Sequence, residues 1–317
     1  MATRELGRTG VRISSIGLGS AQFSGGGAGT FFPALPQPQV DTIVKAALDG
    51  GISWFDTAEG YGKGRSERSL SAALANAGQQ PGDVTVSTKW TPLGRTARTI
   101  GDRIANLAPF PVDLHQIHVP YGGLSSIRAQ ARAMAQLVEA GKIRSVGVSN
   151  FSAGQMETAH RELARHGVPL ASNQVQINLL HRKIETNGVL ETARRLGITL
   201  IAYVPLRSGM LTGKLHADRT LVAQLPRQRR LLTGISTKSL DRTTPLIDEL
   251  STIADAHRAT AGQVALAWLI TYYGDTVVAT PGASTPHHAE QAAGAMKIAL
   301  SDEETRRLTD LSIQVTR

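Results

Sequence analysis

Four side chains of this 317-residue chain could together move a proton. Asp56 closes the run "GISWFD", Tyr61 follows it by five residues across a small-residue turn, Lys89 ends "VTVSTK", and His118 closes "VDLHQIH". Strand hydrophobes precede Lys89, so its ammonium is expected to point inward, poorly solvated, and to need a counter-ion; Asp56 on the neighbouring strand is the natural one. A tyrosine hydroxyl, with an ordinary pKa of about 10, exchanges protons near neutrality only where a cation stabilises its phenolate. Lys89 could do this for Tyr61. His118 would then donate a hydrogen bond to a substrate oxygen. His115 lies three residues earlier on the same strand, so it points to the opposite face, towards the helix layer. The two histidines cannot easily share a metal, and no metal site is expected.

Such a convergence requires strands whose ends meet. Eight short β-type runs each lead into a helical stretch: "SIGLGS", "GISWFDTA", "DVTVSTKW", "VDLHQIHVP", "IRSVGVSNF", "LASNQVQIN", "ITLIAYVPL" and "TVVATPGAS". Helices are expected near Val40–Asp49, Ser66–Ala77, Thr96–Leu107, Ser126–Ala140, Ala153–Arg165, Ile184–Leu196 and Pro286–Met296, with a long helix-containing excursion after the seventh run. Eight such units in about 300 residues suit an α/β fold, a single (β/α)8 TIM barrel, better than an open sheet. "RELGRTGVRISS" reads as an N-terminal β-hairpin turning at Gly7 to Gly10 and plugging one end. "LSDEETRRL" starts an extra C-terminal helix, with Ser301 and Glu304 spaced as a capping box. No linker composition interrupts the chain, so residues 1–317 are read as one domain. The stretch Ser24–Thr30 reads as a mobile loop over a site. Gly213–Thr244 reads as a long loop in which Arg227, Arg229 and Arg230 form either a basic flap over a dinucleotide or a solvated connection.

In barrels of this kind the working groups sit at the C-terminal strand ends. Besides the first four, those positions hold Ser149 and Asn150 on the fifth strand, Asn173 and Gln174 on the sixth, and Tyr203 on the seventh.

Composition bounds the partners. Thirty-four Lys and Arg against 25 Asp and Glu leave +9, which points to a phosphate-bearing ligand. Nucleic acid is disfavoured, because the basic residues are dispersed and aromatics make up only 4% of the chain. A small phosphorylated ligand fits better. The absence of cysteine excludes disulfides and thiolate metal sites and agrees with a reducing compartment. With no secretory signal and no 18-residue apolar run, a cytoplasmic protein without a membrane span is expected.

"FDTAEGYG", "STKW", "VDLHQIHVP", "VGVSNF", "SNQVQIN", "IAYVPL" and "TPGAS" resemble, in order and across nearly the whole chain, successive signatures of the aldo-keto reductase family. The opening "LGRTGVRISSIGLG" is similar to that family's hairpin. The resemblance implies a catalytic tetrad of Asp56, Tyr61, Lys89 and His118: tyrosine as acid/base, lysine paired with aspartate tuning it, histidine polarising the carbonyl. It also implies hydride from a reduced nicotinamide, whose carboxamide would meet Ser149, Asn150 and Gln174 and whose ring would stack on Tyr203. Val204, Pro205, Leu206 and Arg207 fall where the family binds the pyrophosphate, and the amides of Leu206 and Arg207 would serve, although Val204 replaces a serine found in many relatives. Gly282 and His288 stand where relatives specific for the 2′-phosphate carry Lys and Arg, and Ala292 stands at the usual adenine-binding Asn. That leaves Ser284, the amides opening the Pro286 helix and a partly charged His288 for the 2′-phosphate. NADPH is the expected cofactor, with NADH kept open. Phe23 and Trp90 are expected to line an apolar substrate pocket.

The implied activity is NADPH-dependent reduction of an aldehyde or ketone to an alcohol, with a small carbonyl compound as partner. An alternative of a different class is a cofactor-binding regulatory subunit with the same barrel and little turnover. A metal-dependent barrel hydrolase lacks its ligand cluster. An open-sheet dehydrogenase lacks the third glycine of a dinucleotide fingerprint at "GLGSAQ".

Overall fold

The alternating β-type and amphipathic runs call for a parallel barrel, and the computed structural model, which describes residues 3–25, 32–92, 99–121, 125–225, 230–231 and 233–316, has that architecture. Strands β1 (Thr3–Glu5) and β2 (Arg12–Ser14) form the antiparallel hairpin, with Arg4 opposite Ile13. Gly7 turns the chain at φ 60°, and a side-chain carbon there would meet the Ala171 carbonyl oxygen at 2.5 Å. Only glycine lets the hairpin seat so closely on the barrel.

The eight barrel strands are β3 (Leu18–Gly19), β4 (Trp54–Asp56), β5 (Thr85–Trp90), β6 (Leu114–Ile117), β7 (Ser145–Ser149), β8 (Leu170–Gln176), β9 (Thr199–Tyr203) and β10 (Val277–Thr280). They pair parallel in chain order. The ring is closed between β3 and β10, where Gly17 N–H donates to the Ala279 carbonyl at 2.8 Å and Gly19 N–H to that of Pro281 at 2.9 Å. Trp54, Leu114, Ala171, Ile201 and Val278 pack with Leu6 and Ile13 of the hairpin, which therefore plugs the floor as expected. Two residues further along three of these strands come Asp56, Gln116 and Tyr203, because side chains alternate faces with period two. The outward set, Phe55, Val86, Ile117, Val148, Leu200 and Ala279, joins the helices in the main core. Each buried Phe, Val, Ile or Leu side chain of this set contributes roughly 1.5–3 kcal/mol.

The surrounding helices include α1 (Gln37–Asp49), α2 (Arg65–Asn76), α3 (Ile100–Leu107), α4 (Ile127–Glu139), α5 (Ala153–Ala164) and α6 (Val189–Leu196). Helix α6 starts later than the sequence suggests, because Gly188 at φ 80° separates it from the 3-10 turn Lys183–Glu185. After β9 come the short α7 (Lys214–Ala217) and α8 (Thr220–Gln224). The 20-residue helix α9 (Thr237–Ala256) then begins inside the expected loop, since Ser236 and Ser239 form a capping box. Helices α10 (Ala261–Tyr272), α11 (Pro286–Gly294) and the C-terminal α12 (Asp302–Thr316) complete the chain. Ser301 and Glu304 exchange the expected capping bonds, Ser301 N–H to Oε2 at 2.8 Å and Glu304 N–H to Ser301 Oγ at 3.2 Å. The loop read at Ser24–Thr30 lies outside the described residues beyond Gly25, as do Arg227 and Arg229. Among the described residues no helix is long and apolar enough to cross a membrane.

Candidate active site

The C-terminal ends of β4, β5 and β6 bring the first four residues together. Lys89 is fully buried, and its Nζ donates to Asp56 Oδ2 at 2.5 Å and to the Thr57 carbonyl at 2.7 Å. Burial alone would discharge this ammonium. Asp56 and the Tyr61 hydroxyl outweigh it, so the Lys89 pKa is raised and the side chain stays charged. Tyr61 follows β4 on the loop to α2, its ring centroid 5.2 Å from Lys89 Nζ. The His118 ring lies edge-on to the Tyr61 ring. Burial, and then the Lys89 charge, lowers the His118 pKa to about 4 against the pull of Asp56, leaving a neutral imidazole at pH 7. His115 points the other way, towards Arg103 on α3, and burial takes its pKa down to about 3.

A polar layer beneath these groups was missed in the sequence. Ser87 Oγ donates to Asp56 Oδ1 at 2.9 Å, Gln116 Nε2 donates to the same oxygen at 3.2 Å and to Ser87 Oγ at 2.8 Å, and all are buried. The layer anchors the carboxylate that holds Lys89. Parity could have found it: Ser87 and Gln116 each precede a site residue by two along a strand, and so share its face.

Above the four residues opens a cleft of about 1000 Å³. Its walls include Asp56, Tyr61, His118, Ser149, Asn150, Gln174, Tyr203, Val204, Pro205, Leu206, Arg207, Gly282, Ser284 and His288, all singled out from sequence. Ser149 Oγ and Asn150 N–H both donate to the Gln174 carbonyl at 2.9 Å, and Tyr203 OH donates to Asn150 Oδ1 at 2.9 Å. Among the described residues, the Gln174 side-chain Nε2, buried on the cleft wall, has no hydrogen-bond partner, and neither do Thr280 Oγ1 and Gln22 Oε1 on the same walls. Buried orphan polar atoms are costly, so a donor and two oxygens here suit a polar ligand such as the nicotinamide carboxamide and ribose of a dinucleotide. Val204 sits at φ 50°, a left-handed conformation unfavourable for a β-branched residue, and its carbonyl accepts from Asn178 Nδ2 at 3.0 Å.

Several sequence expectations are corrected. Trp90 and Phe23 do not line the cleft; each is 2% exposed and sits in the main core. Lys89 points inward, so its neighbour Trp90 must point outward, where its Nε1 meets Met134 Sδ of α4 at 3.1 Å. Phe23 is turned inward by the 3-10 turn Ala21–Ser24, which presents Ala21 and Gln22 to the cleft instead, while Phe32 is an aromatic that does line it. The Arg207 N–H is already donated to the Val204 carbonyl at 3.0 Å, so it is not spare for a pyrophosphate. At His288, burial and then the charge of Lys214 lower the pKa, which works against the partial charge expected of it. Its Nδ1 lies 3.3 Å from Ser284 Oγ. Among the described residues, Lys214 is a cleft-wall cation whose charge reaches His288, and it lies in the excursion after β9. Among the described residues no group of three His, Asp or Glu could hold a metal ion.

A closed eight-stranded barrel, with an ammonium–carboxylate pair under a tyrosine at the floor of a nucleotide-sized cleft, defines an NAD(P)H-dependent oxidoreductase. The chain belongs to the Aldo/keto reductase family, whose sequence profile it matches over residues 15–313. It is 34% identical over 303 residues to an uncharacterised oxidoreductase of Mycobacterium bovis, covering 94% of this chain and 89% of that one. Among solved structures, the glycerol dehydrogenase of Gluconobacter oxydans superposes with TM-score 0.84 at 29% identity, covering 100% of this chain and 98% of the other. An aldo/keto reductase from Klebsiella pneumoniae, solved with NADP and acetate, superposes with TM-score 0.74 at 26% identity, covering 98% and 95%.

Proposed function

We propose that this protein reduces the carbonyl group of a small aldehyde or ketone to an alcohol, using NADPH. The observation that carries the reading is the buried Lys89–Asp56 pair directly beneath Tyr61, at the floor of the cleft. When bound, the reduced nicotinamide supplies hydride to the carbonyl carbon. Tyr61 gives its hydroxyl proton to the carbonyl oxygen, and the Lys89 ammonium stabilises the phenolate that remains. Asp56 keeps that ammonium charged and in place through its bonds to Lys89, Ser87 and Gln116. His118, neutral at pH 7, donates a hydrogen bond to the same carbonyl oxygen and so orients it towards Tyr61. Gln174 Nε2, with Ser149 and Asn150, would hold the carboxamide and so orient the ring for the substrate, and Tyr203 would support the ring.

The preference for NADPH over NADH rests on Lys214, which stands beside His288 at the far end of the cleft, with Ser284 as hydroxyl partner for a phosphate. Calorimetric titration with each nucleotide, followed by cofactor oxidation with a panel of small aldehydes and ketones, tests the reading. NADPH binding with turnover is expected. Tyr61→Phe should lower turnover by about a hundredfold to ten-thousandfold while nucleotide affinity holds. Nucleotide binding without turnover of any carbonyl would favour a regulatory subunit.

A further inference from the structure

Behind Tyr61 lies a buried charge cluster that no step of the proposed reaction uses. Arg103 of α3 donates from Nη1 to Glu59 Oε2 at 2.6 Å and from Nε to Glu67 Oε2 at 2.8 Å, with side-chain exposures of 6%, 2% and 0% for Arg103, Glu59 and Glu67. The two carboxylates bracket the tyrosine, Glu59 just before it on the loop and Glu67 in the first turn of α2. Their other oxygens reach the strand that carries Lys89: Thr91 N–H donates to Glu59 Oε1 at 2.9 Å, and the Thr88 hydroxyl to Glu67 Oε1 at 2.6 Å. Glu59 N–H in turn donates to the Lys89 carbonyl at 3.0 Å. Asn106 Nδ2, one turn along α3, adds a bond to Glu67 Oε2 at 2.8 Å.

One guanidinium thus ties both ends of the Tyr61 loop together, and the carboxylates tie that loop to the residues on either side of Lys89. Apolar packing of equal volume would hold the loop down without fixing its register, because dispersion contacts are non-directional, whereas charge-assisted hydrogen bonds are directional. Two buried carboxylates around one cation are also a poor choice for stability alone. We propose that Arg103, Glu59 and Glu67 are positioning residues that hold the Tyr61 phenol in register with the Lys89 ammonium. The inference rests on the carbonyl-reductase reading for its kinetic consequence, and on geometry alone for the placement of Tyr61.

The mildest lesion is Glu59→Gln, which keeps an oxygen for Thr91 N–H and leaves Glu67 as counter-ion for Arg103. Arg103→Lys keeps the charge without the two-armed reach. Arg103→Met strands two buried carboxylates and can fail to fold, so the first two variants carry the test. The full chain is labelled at tyrosine Cζ with carbon-13, and the Tyr61 resonance is assigned among the five tyrosines by its loss in Tyr61→Phe. In Glu59→Gln and Arg103→Lys that resonance is expected to shift from its wild-type position. The turnover number should fall about tenfold or more in Glu59→Gln, with NADPH affinity within about twofold, as mispositioning of a reacting group predicts. A Tyr61 resonance unchanged in position in both variants overturns the proposal, whatever happens to thermal stability. Absence of carbonyl turnover by the wild-type protein counts against the reductase reading instead, and the resonance still decides the positioning question.

Discussion

The His118 imidazole meets the Tyr61 phenol edge-on, the ring centroids 6.1 Å apart and the planes at 83°. Because burial and the Lys89 ammonium lower the His118 pKa to about 4, this ring is a neutral hydrogen-bond donor near neutral pH. The rate kcat/KM for carbonyl reduction should therefore pass through pH 6.5, the ordinary histidine value, without an acid limb, and any His118 limb should appear only near about 4. A limb centred near 6.5 that vanishes in His118→Gln would contradict the neutral imidazole.

His115, buried and turned to the helix layer with Nδ1 unpartnered, carries no expected role in catalysis but a consequence for acid stability. Its pKa falls from 6.5 to about 3 on folding, so between those values the unfolded chain binds the extra proton. Stability contributed in this way is complete above pH 6.5 and is lost as pH falls towards 3, with a slope of up to about 1.4 kcal/mol per pH unit. His118 adds the same sign between 6.5 and about 4. Glu67, whose pKa burial raises, acts in the opposite direction. Urea midpoints measured across this range should rise with pH, less steeply in His115→Leu than in wild type.

Removing the orphan amide at the cleft wall separates binding from folding. The Gln174 side-chain nitrogen has no partner among the described residues, while the Gln174 carbonyl keeps its bonds from Ser149 and Asn150 whatever the side chain. Gln174→Ala should weaken nicotinamide nucleotide binding about tenfold or more, in line with one lost hydrogen bond of about 1.5 kcal/mol, and leave the thermal midpoint nearly unchanged. Calorimetry and a thermal melt on the same preparation check both halves.

Gly282 occupies a tight spot against Gln22: a side-chain carbon added there would lie 2.2 Å from the Gln22 amide nitrogen. The obstacle is the end of a flexible side chain whose oxygen is itself unpartnered, so it can swing aside. Gly282→Lys, alone or with Gln22→Ala, should tighten NADPH about tenfold relative to NADH by placing a second cation beside Lys214. Equal gains for both nucleotides would mean that the phosphate lies elsewhere.

Local pattern sufficed for a great deal. The alternation of strand and helix, the small-residue turn after Asp56 and the strand hydrophobes before Lys89 are short-range features, and they located the barrel and the four converging residues, while the pyrophosphate end of the cleft wall came from the family resemblance. Strand parity would also have reached Ser87 and Gln116, since inward positions recur every second residue.

Parity was also where the reading of Trp90 went astray: a residue next to an inward lysine on a strand must face outward, and its apolar bulk went to the core. The rest needed three dimensions. Whether Lys89 keeps its charge depends on the sum of burial and the fields of Asp56 and Tyr61, groups from different strands and loops whose separation no local sequence encodes. Lys214 at the cleft, the lowered pKa of His288 and the Arg103 clamp behind Tyr61 likewise arise from long-range juxtaposition. Sequence periodicity determined which side chains face inward along each strand; only the closed barrel decided which of them touch, because hydrogen bonds need partners about 3 Å apart and ion-pair energies depend on separation in space, not along the chain.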